Sequence, residues 1–295
     1  MGAFCGRLSL FIIFLLDKRK KTCYTYKTGL LKKRFMLQKK AAIPGGNNFV
    51  LDMRYWSTVI FLLLLSFCIF AEDNLMYGIP GEADLLINRE GFALGYSHEH
   101  RQALWICYVL TKKNLLREQT KRTNKFLPDP AITFCPVQPQ DYNRTGYDRG
   151  HLAPAADMTY SFDAMLHSFF MSNISPQIPG CNRGIWKRIE NQARKWAKKE
   201  GRLYIITGPI FGSDRKWLGK TGIPIPTGFY KIILDMTPPM KMIAFITPNQ
   251  PSKKRVYSFV TTVDHIEELT GFDFFSKMED ALEAKLEKEA DFSLW

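Results

Sequence analysis

Tyr147-Asp148-Arg149-Gly150-His151-Leu152-Ala153-Pro154-Ala155 places a permanently charged guanidinium two residues from an imidazole, with a glycine between them. An arginine holds a phosphate, and a histidine moves a proton. A single glycine in this position suits a tight strand-to-loop bend that aims both side chains at one small volume. The combination fits hydrolysis of a phosphodiester. An Asp-Arg-Gly-His tetrapeptide taken alone is equally what a solvated surface turn contains, so its neighbours have to decide.

The first of those neighbours is a helix. Residues 184–199 carry apolar side chains at 185, 186, 189, 193, 196 and 197, a helical period that Gly201 ends. Glu190 and Arg194 are four apart and share a face, a spacing that ordinary surface pairs also have. Asn182 precedes Glu190 by eight residues, just over two turns, so both can reach one water-filled pocket. An amide oxygen with one carboxylate is a sparse metal site, which suits Mg2+ because that ion keeps most of its waters and takes a further ligand from a phosphate.

The remaining chain reads as α+β. Residues 72–102 read as an irregular lead-in, and 103–110, rich in branched and aromatic residues, as a strand. The polar stretch 111–146, with Lys112, Lys113, Arg117, Lys121, Arg122 and Lys125, reads as a phosphate-contacting or simply solvated loop. A short helix follows over 163–170, and three strands over 203–207, 229–235 and 242–247. Acidic helical segments close the chain around 264–270 and 276–288. No internal repeat interrupts this order, so one domain is the simplest account.

Five ordered blocks then carry a resemblance: DRGHLAPAAD at 148–157, SNISPQ at 172–177, NRGIWKRIE at 182–190, TGP at 207–209 and IPTGFYK at 225–231. Over roughly residues 76–270 the chain resembles the DNA/RNA non-specific endonuclease family, to which endonuclease G and the Serratia-type nuclease belong. The resemblance implies a ββα-metal (His-Me finger) core within an α+β domain, with a mostly antiparallel central sheet flanked by helices. It implies His151 as general base, Asn182 as direct Mg2+ ligand (with Mn2+ as a substitute), and Glu190 holding metal-bound water. Arg149 and Arg194 would stabilise charge on the phosphate, and Asn173 would order the loop or contact substrate. Asp148 reads as a structural cap and Arg122 as a further phosphate-binding arginine. Pro154 and Gly228 depart from better-known members. The implied partners are DNA and RNA, with 5'-phosphate products, and the resemblance leaves room for a homodimer and a protein inhibitor. A catalytically silent nucleic-acid-binding module on the same fold is the competing function.

Charge and hydropathy organise the ends. Of the net +13, residues 1–52 hold 11 Lys/Arg against 2 Asp/Glu, while residues 264–295 hold 3 against 10. The stretch between, from 72 to 263, keeps 26 against 16, a basic body that fits a polyanionic partner. Residues 55–71 contain no charge, and Arg54 precedes them, the pattern of a secretory signal or membrane anchor. Because 52 residues precede that signal, Met53 reads as the translational start and 1–52 as a basic leader outside the translated product. The expected organisation is therefore a leader over 1–52, a signal or anchor over 53–71 and a nuclease domain over 72–295. The expected location is secreted or periplasmic, the alternatives being a membrane anchor if 55–71 stays uncleaved and a mitochondrion if the leader is a transit peptide. Past the signal only Cys107, Cys135 and Cys181 remain, too few for a disulfide scaffold, and Cys107 reads as a core thiol.

Overall fold

The structure, a computed structural model, describes residues 74–295. The leader, the apolar segment and the start at Met53 lie outside the described residues. In chain order the strands are β1 (Leu85–Arg89), β2 (Phe92–Ser97), β3 (Gln102–Thr111), β4 (Asp148–His151), β5 (Ile174–Gln177), β6 (Arg202–Ile210), β7 (Lys216–Trp217), β8 (Pro224–Ile225), β9 (Gly228–Asp235), β10 (Lys241–Pro248) and β11 (Val260–Thr261). Seven of them make one antiparallel sheet in the order β1-β2-β3-β6-β9-β10-β11, while β4-β5 and β7-β8 are separate two-stranded pairs. In the large sheet, β6, β9 and β10 are the expected strands of the C-terminal half, and β3 is the expected strand over 103–110.

The lead-in is irregular only as far as residue 84. Residues 85–97 fold as a hairpin whose two-residue loop, Glu90-Gly91, places Gly91 at φ 102°, where a side chain would be strained. Every residue of β2 is buried, so the strand lacks the alternating polar face by which sequence reading finds strands.

Alternation along the strands divides the core between two sheet faces. Ile205, Phe229, Ile233, Ile243 and Phe245 pack with Ile189, Ala193 and Trp196 of the long helix. Tyr204, Ile206, Tyr230, Ile232, Leu234 and Ala244 face the other way, against Val263, Ile266, Phe274 and Leu286. The short helices are α1 (Lys112–Leu116) and α2 (Phe162–Ser168), the long one is α3 (Lys187–Glu200), and the acidic C-terminal ones are α4 (Val263–Thr270) and α5 (Asp280–Leu286). The last is shorter than the expected 276–288. With both sheet faces covered by helices, β9 and β10 read as continuous apolar runs, interrupted in β9 by Lys231, which shares the α3-facing side with Phe229 and Ile233.

A second unit sits on the α3 side. The hairpin of β4 and β5 pairs antiparallel, His151 opposite Ile174. It leads into a π-helical turn, Cys181–Trp186, kinked at Gly184, and then into α3. The helix expected from 184 thus begins at Lys187, because the wider turn before it carries Asn182 and Arg183. Hairpin, turn and helix together form a ββα unit.

Candidate active site

The ββα unit opens onto a cavity of about 240 Å³ lined by Arg122, Arg149, His151, Pro154, Ala155, Ala156, Asn182, Arg183, Lys187, Glu190 and Arg194. Arg149 and His151 reach it together because alternate residues of a strand point to one side. Gly150 lies within β4, so the expected bend is absent there. A Cβ at that position would run into the side chain of Gln177 on the paired strand, and this close approach is what selects glycine.

His151 is only 8% exposed, and its ring is boxed by Phe169 at 4.9 Å and Phe126 at 5.5 Å between centroids. Its Nε2 has no hydrogen-bond partner among the described residues. Burial, with the nearby Arg122 guanidinium, pushes the imidazole down to about 3, so the ring is neutral near pH 7. A neutral ring is a proton acceptor. Arg149 is tethered by its Nε and Nη2, which donate to the Pro139 carbonyl at 3.0 and 2.6 Å, and Nη2 also donates to Asn143 Oδ1 at 2.8 Å. Its guanidinium lies 5.4 Å above the Phe126 ring, so the same phenylalanine braces both strand residues.

Across the cavity, Asn182 Nδ2 donates to Asp148 Oδ2 at 2.8 Å. With its N–H side engaged, the amide oxygen is the free end of Asn182. Arg183 grips the same carboxylate through Nε and Nη2, at 2.8 and 2.6 Å. Asp148 therefore ties the first strand of the hairpin to the turn that carries Asn182.

Glu190 and Arg194 form the expected i,i+4 pair at 4.0 Å, but Arg194 is bound more closely elsewhere. Its Nη1 donates to Asp157 Oδ1 at 2.7 Å, and Asp157 Oδ2 accepts from the Tyr108 hydroxyl at 3.0 Å. Burial raises the Glu190 carboxyl above the usual range, while Lys231 and then Arg194 pull it back. Asn173 does not line the cavity. It is fully buried and spans the loop after β4: its Oδ1 accepts from Ala153 N, and its Nδ2 donates to the carbonyls of Ala153 and Ser168.

The sequence profile of the family described as DNA/RNA non-specific endonuclease matches residues 71–281. The chain belongs to this family. It is 34% identical to "Nuclease C1" of Cunninghamella echinulata var. echinulata over 226 residues, covering 71% of this chain and 90% of that protein. It is 30% identical to human "Endonuclease G, mitochondrial" over 213 residues, covering 67% of this chain and 71% of that protein. A crystal structure of EndoG with EndoGI, described as showing the mechanism of EndoG inhibition, superposes with a TM-score of 0.66 at 26% identity, over 70% of this chain and 92% of that one. This chain is accordingly a DNA/RNA non-specific endonuclease with an α+β fold.

In this endonuclease the cavity also takes Arg183 and Lys187, which sequence reading passed over. Lys187 precedes Glu190 by three residues and Arg194 by seven, so the helical period itself was a usable signal for it. Asp157 and Lys231 close two of the quoted blocks, yet nothing in those blocks assigns either a role. Arg122 lines the cavity with its guanidinium 5.3 Å above the Phe169 ring, whereas Lys112, Lys113, Arg117, Lys121 and Lys125 do not line it. His98 and His100 are taken up by local contacts, His98 with Tyr96 and Phe134, His100 with Ser97 and Phe211. Among the described residues, one carboxylate group has oxygens close enough to share a cation, Asp264, Glu267 and Glu287, and none of the three lines the cavity. Cys107 and Cys181 are buried thiols and Cys135 is an exposed one. No helix among the described residues is long and apolar enough to cross a membrane.

Proposed function

We propose that this endonuclease hydrolyses phosphodiester bonds of both DNA and RNA in a Mg2+-dependent reaction that leaves 5'-phosphate ends. The observation that carries the reading is a neutral, buried imidazole with an unpartnered Nε2 in a cavity that sets five cationic side chains against one carboxylate. The cations receive the phosphate, and His151 accepts the proton of the attacking water. Arg149 and Arg194 are held by neighbours rather than by each other, so they meet the developing charge already oriented. Arg122, on a more exposed loop, adds to the phosphate grip. Contacts of this kind touch no base edge, which accounts for weak sequence preference.

The donor set fits a hard cation: one amide oxygen, from an Asn182 whose nitrogen is engaged by Asp148, would ligate it, and one carboxylate, Glu190, would hold its bound water. When bound, Mg2+ supplies charge neutralisation and an acidic water for the leaving oxygen. Asp148 and Asn173 act on orientation, the one by seating Asn182 and the other by pinning the loop after His151. Residues 72–295 make up the nuclease domain. The uncharged stretch 55–71 favours export of that domain, whereas the mitochondrial relative favours the organelle. As the EndoG structure holds an inhibitor, we extend to this chain a protein inhibitor as a partner.

The test is digestion of supercoiled DNA and structured RNA, with Mg2+ and with chelator, by the wild-type chain and by His151→Ala. The wild type nicks both substrates only with metal, and His151→Ala binds DNA without nicking. Undiminished cleavage by His151→Ala would remove this residue from the chemistry. Binding without cleavage by the wild type would favour the silent module.

A further inference from the structure

The acidic end of the chain turns several carboxylates toward one another rather than out to solvent. Asp264 and Glu267 are three apart on α4 and share a face, and Glu283 of α5 is four residues from Glu287, the cap of that helix. The Glu287 carbonyl accepts from Val263 N at 2.8 Å, which fastens the end of α5 to the first turn of α4. Val263, Ile266 and Leu286 anchor both helices in the same half of the core. Asp264, Glu267 and Glu287 thereby bring one carboxylate oxygen each to within 4.8 Å of the other two.

Like charges this close repel, and burial removes the water that would screen them. Glu287 is only 7% exposed, and its Oε1 is buried without a hydrogen-bond partner among the described residues. Glu283 Oε1, one turn earlier, is likewise buried and unpartnered. An anionic oxygen in that state is strongly unfavourable unless a cation meets it. No side chain supplies one: among the described residues His265 of α4 pairs with the exposed Glu268 at 3.4 Å, and Lys285 and Lys288 stay exposed. Glu267 is oriented by Phe274 N, which donates to its Oε1 at 3.0 Å.

The donor chemistry selects the ion. Three carboxylates with no imidazole or thiol suit a hard divalent cation. Mg2+ keeps most of its waters and uses one or two carboxylates beside a phosphate. Ca2+ takes about six to eight oxygens in a flexible shell and accepts several carboxylates at once.

We propose that Asp264, Glu267 and Glu287 form a Ca2+ site that clamps α4 to α5. These helices cover the sheet face opposite α3, so the site stands apart from the catalytic cavity and serves to hold the acidic C-terminal segment on the domain. The competing way to quiet the cluster is a proton shared between Glu267 and Glu287.

The experiment reads the thermal midpoint of the full chain at neutral pH in chelator, in millimolar CaCl2 and in equimolar MgCl2. CaCl2 is expected to raise the midpoint by roughly 5–10 °C over chelator, the shift that a ligand at about 100 times its Kd gives a domain of this length. MgCl2 is expected to raise it far less. Glu287→Gln is expected to abolish the Ca2+ shift, and Asn182→Ala, at the catalytic cavity, to keep it whole. A wild type indifferent to Ca2+ overturns the proposal. So does a shift that survives in Glu287→Gln, that disappears in Asn182→Ala, or that Mg2+ matches. A midpoint that climbs on mild acidification and ignores Ca2+ assigns the cluster to a shared proton, which overturns it too. Should Glu287→Gln fail to fold, Asp264→Asn, at a less buried position, takes its place under the same criteria.

Discussion

Asp148→Ala is the most direct probe of how the metal side of the cavity is held. The Asp148 carboxylate accepts three hydrogen bonds: one from Asn182 Nδ2 at 2.8 Å and two from Arg183 at 2.8 and 2.6 Å. The Arg183 side chain is 73% exposed, so that ion pair contributes at most about 1 kcal/mol. The bond from Asn182 goes to a charged acceptor that is only 15% exposed, and such bonds are worth about 1.5–3 kcal/mol. Without it the Asn182 amide is free to rotate, and the fraction with its oxygen toward the cavity falls. At about 1.4 kcal/mol per tenfold, the loss corresponds to a roughly ten- to hundredfold higher Mg2+ requirement, the range also found for residues that orient metal ligands elsewhere. The assay is plasmid nicking at graded MgCl2, with Arg183→Ala as the control that removes the exposed partner alone. The Arg183 variant should keep a midpoint near wild type. A folded Asp148→Ala enzyme with an unshifted midpoint would refute the orientation argument.

Three further outcomes follow from the same geometry. Asn173→Ala removes three buried hydrogen bonds and should lower stability by about 3 kcal/mol in urea unfolding, taking about 1 kcal/mol for each. The folded His151 pKa, about 3, lies below the unfolded value of about 6.5, so the unfolded chain binds the extra proton between them. Stability should therefore fall as pH drops from about 6.5 toward 3, and His151→Gln should flatten that part of the urea-midpoint profile. Arg183 and Lys187 are exposed cations at the cavity mouth. Replacing both with alanine should reduce the salt slope of duplex DNA binding by about 0.9 for each phosphate they neutralise, and an unchanged slope would place neither on the DNA.

The helical half of the ββα unit was legible because its cues are local, the apolar period and the Asn182–Glu190 interval lying within a few turns of chain, whereas the hairpin half was expected only through the family resemblance. The first hairpin was not legible, since a strand buried on both faces carries no alternation. The glycine of the Asp-Arg-Gly-His run was correctly weighted for the wrong reason. It admits Gln177 from the neighbouring strand, a residue 27 positions away along the chain that no bend rule contains.

By itself the sequence determined which chemistry this endonuclease has available, because side-chain type and period are properties of single segments. Tertiary structure decided which of those groups act together and in what charge state. Arg122 arrives from a loop, and Phe126 and Phe169 close around His151 from separate segments. Lys231 comes to lie under Glu190's helix from a strand 41 residues downstream of Glu190. The cost of holding a charge depends on the solvent that packing excludes, and packing is a property of the whole domain. Hence the chain's residues named a base, and only the fold enclosed that base between two rings and kept it neutral well below the ordinary histidine range.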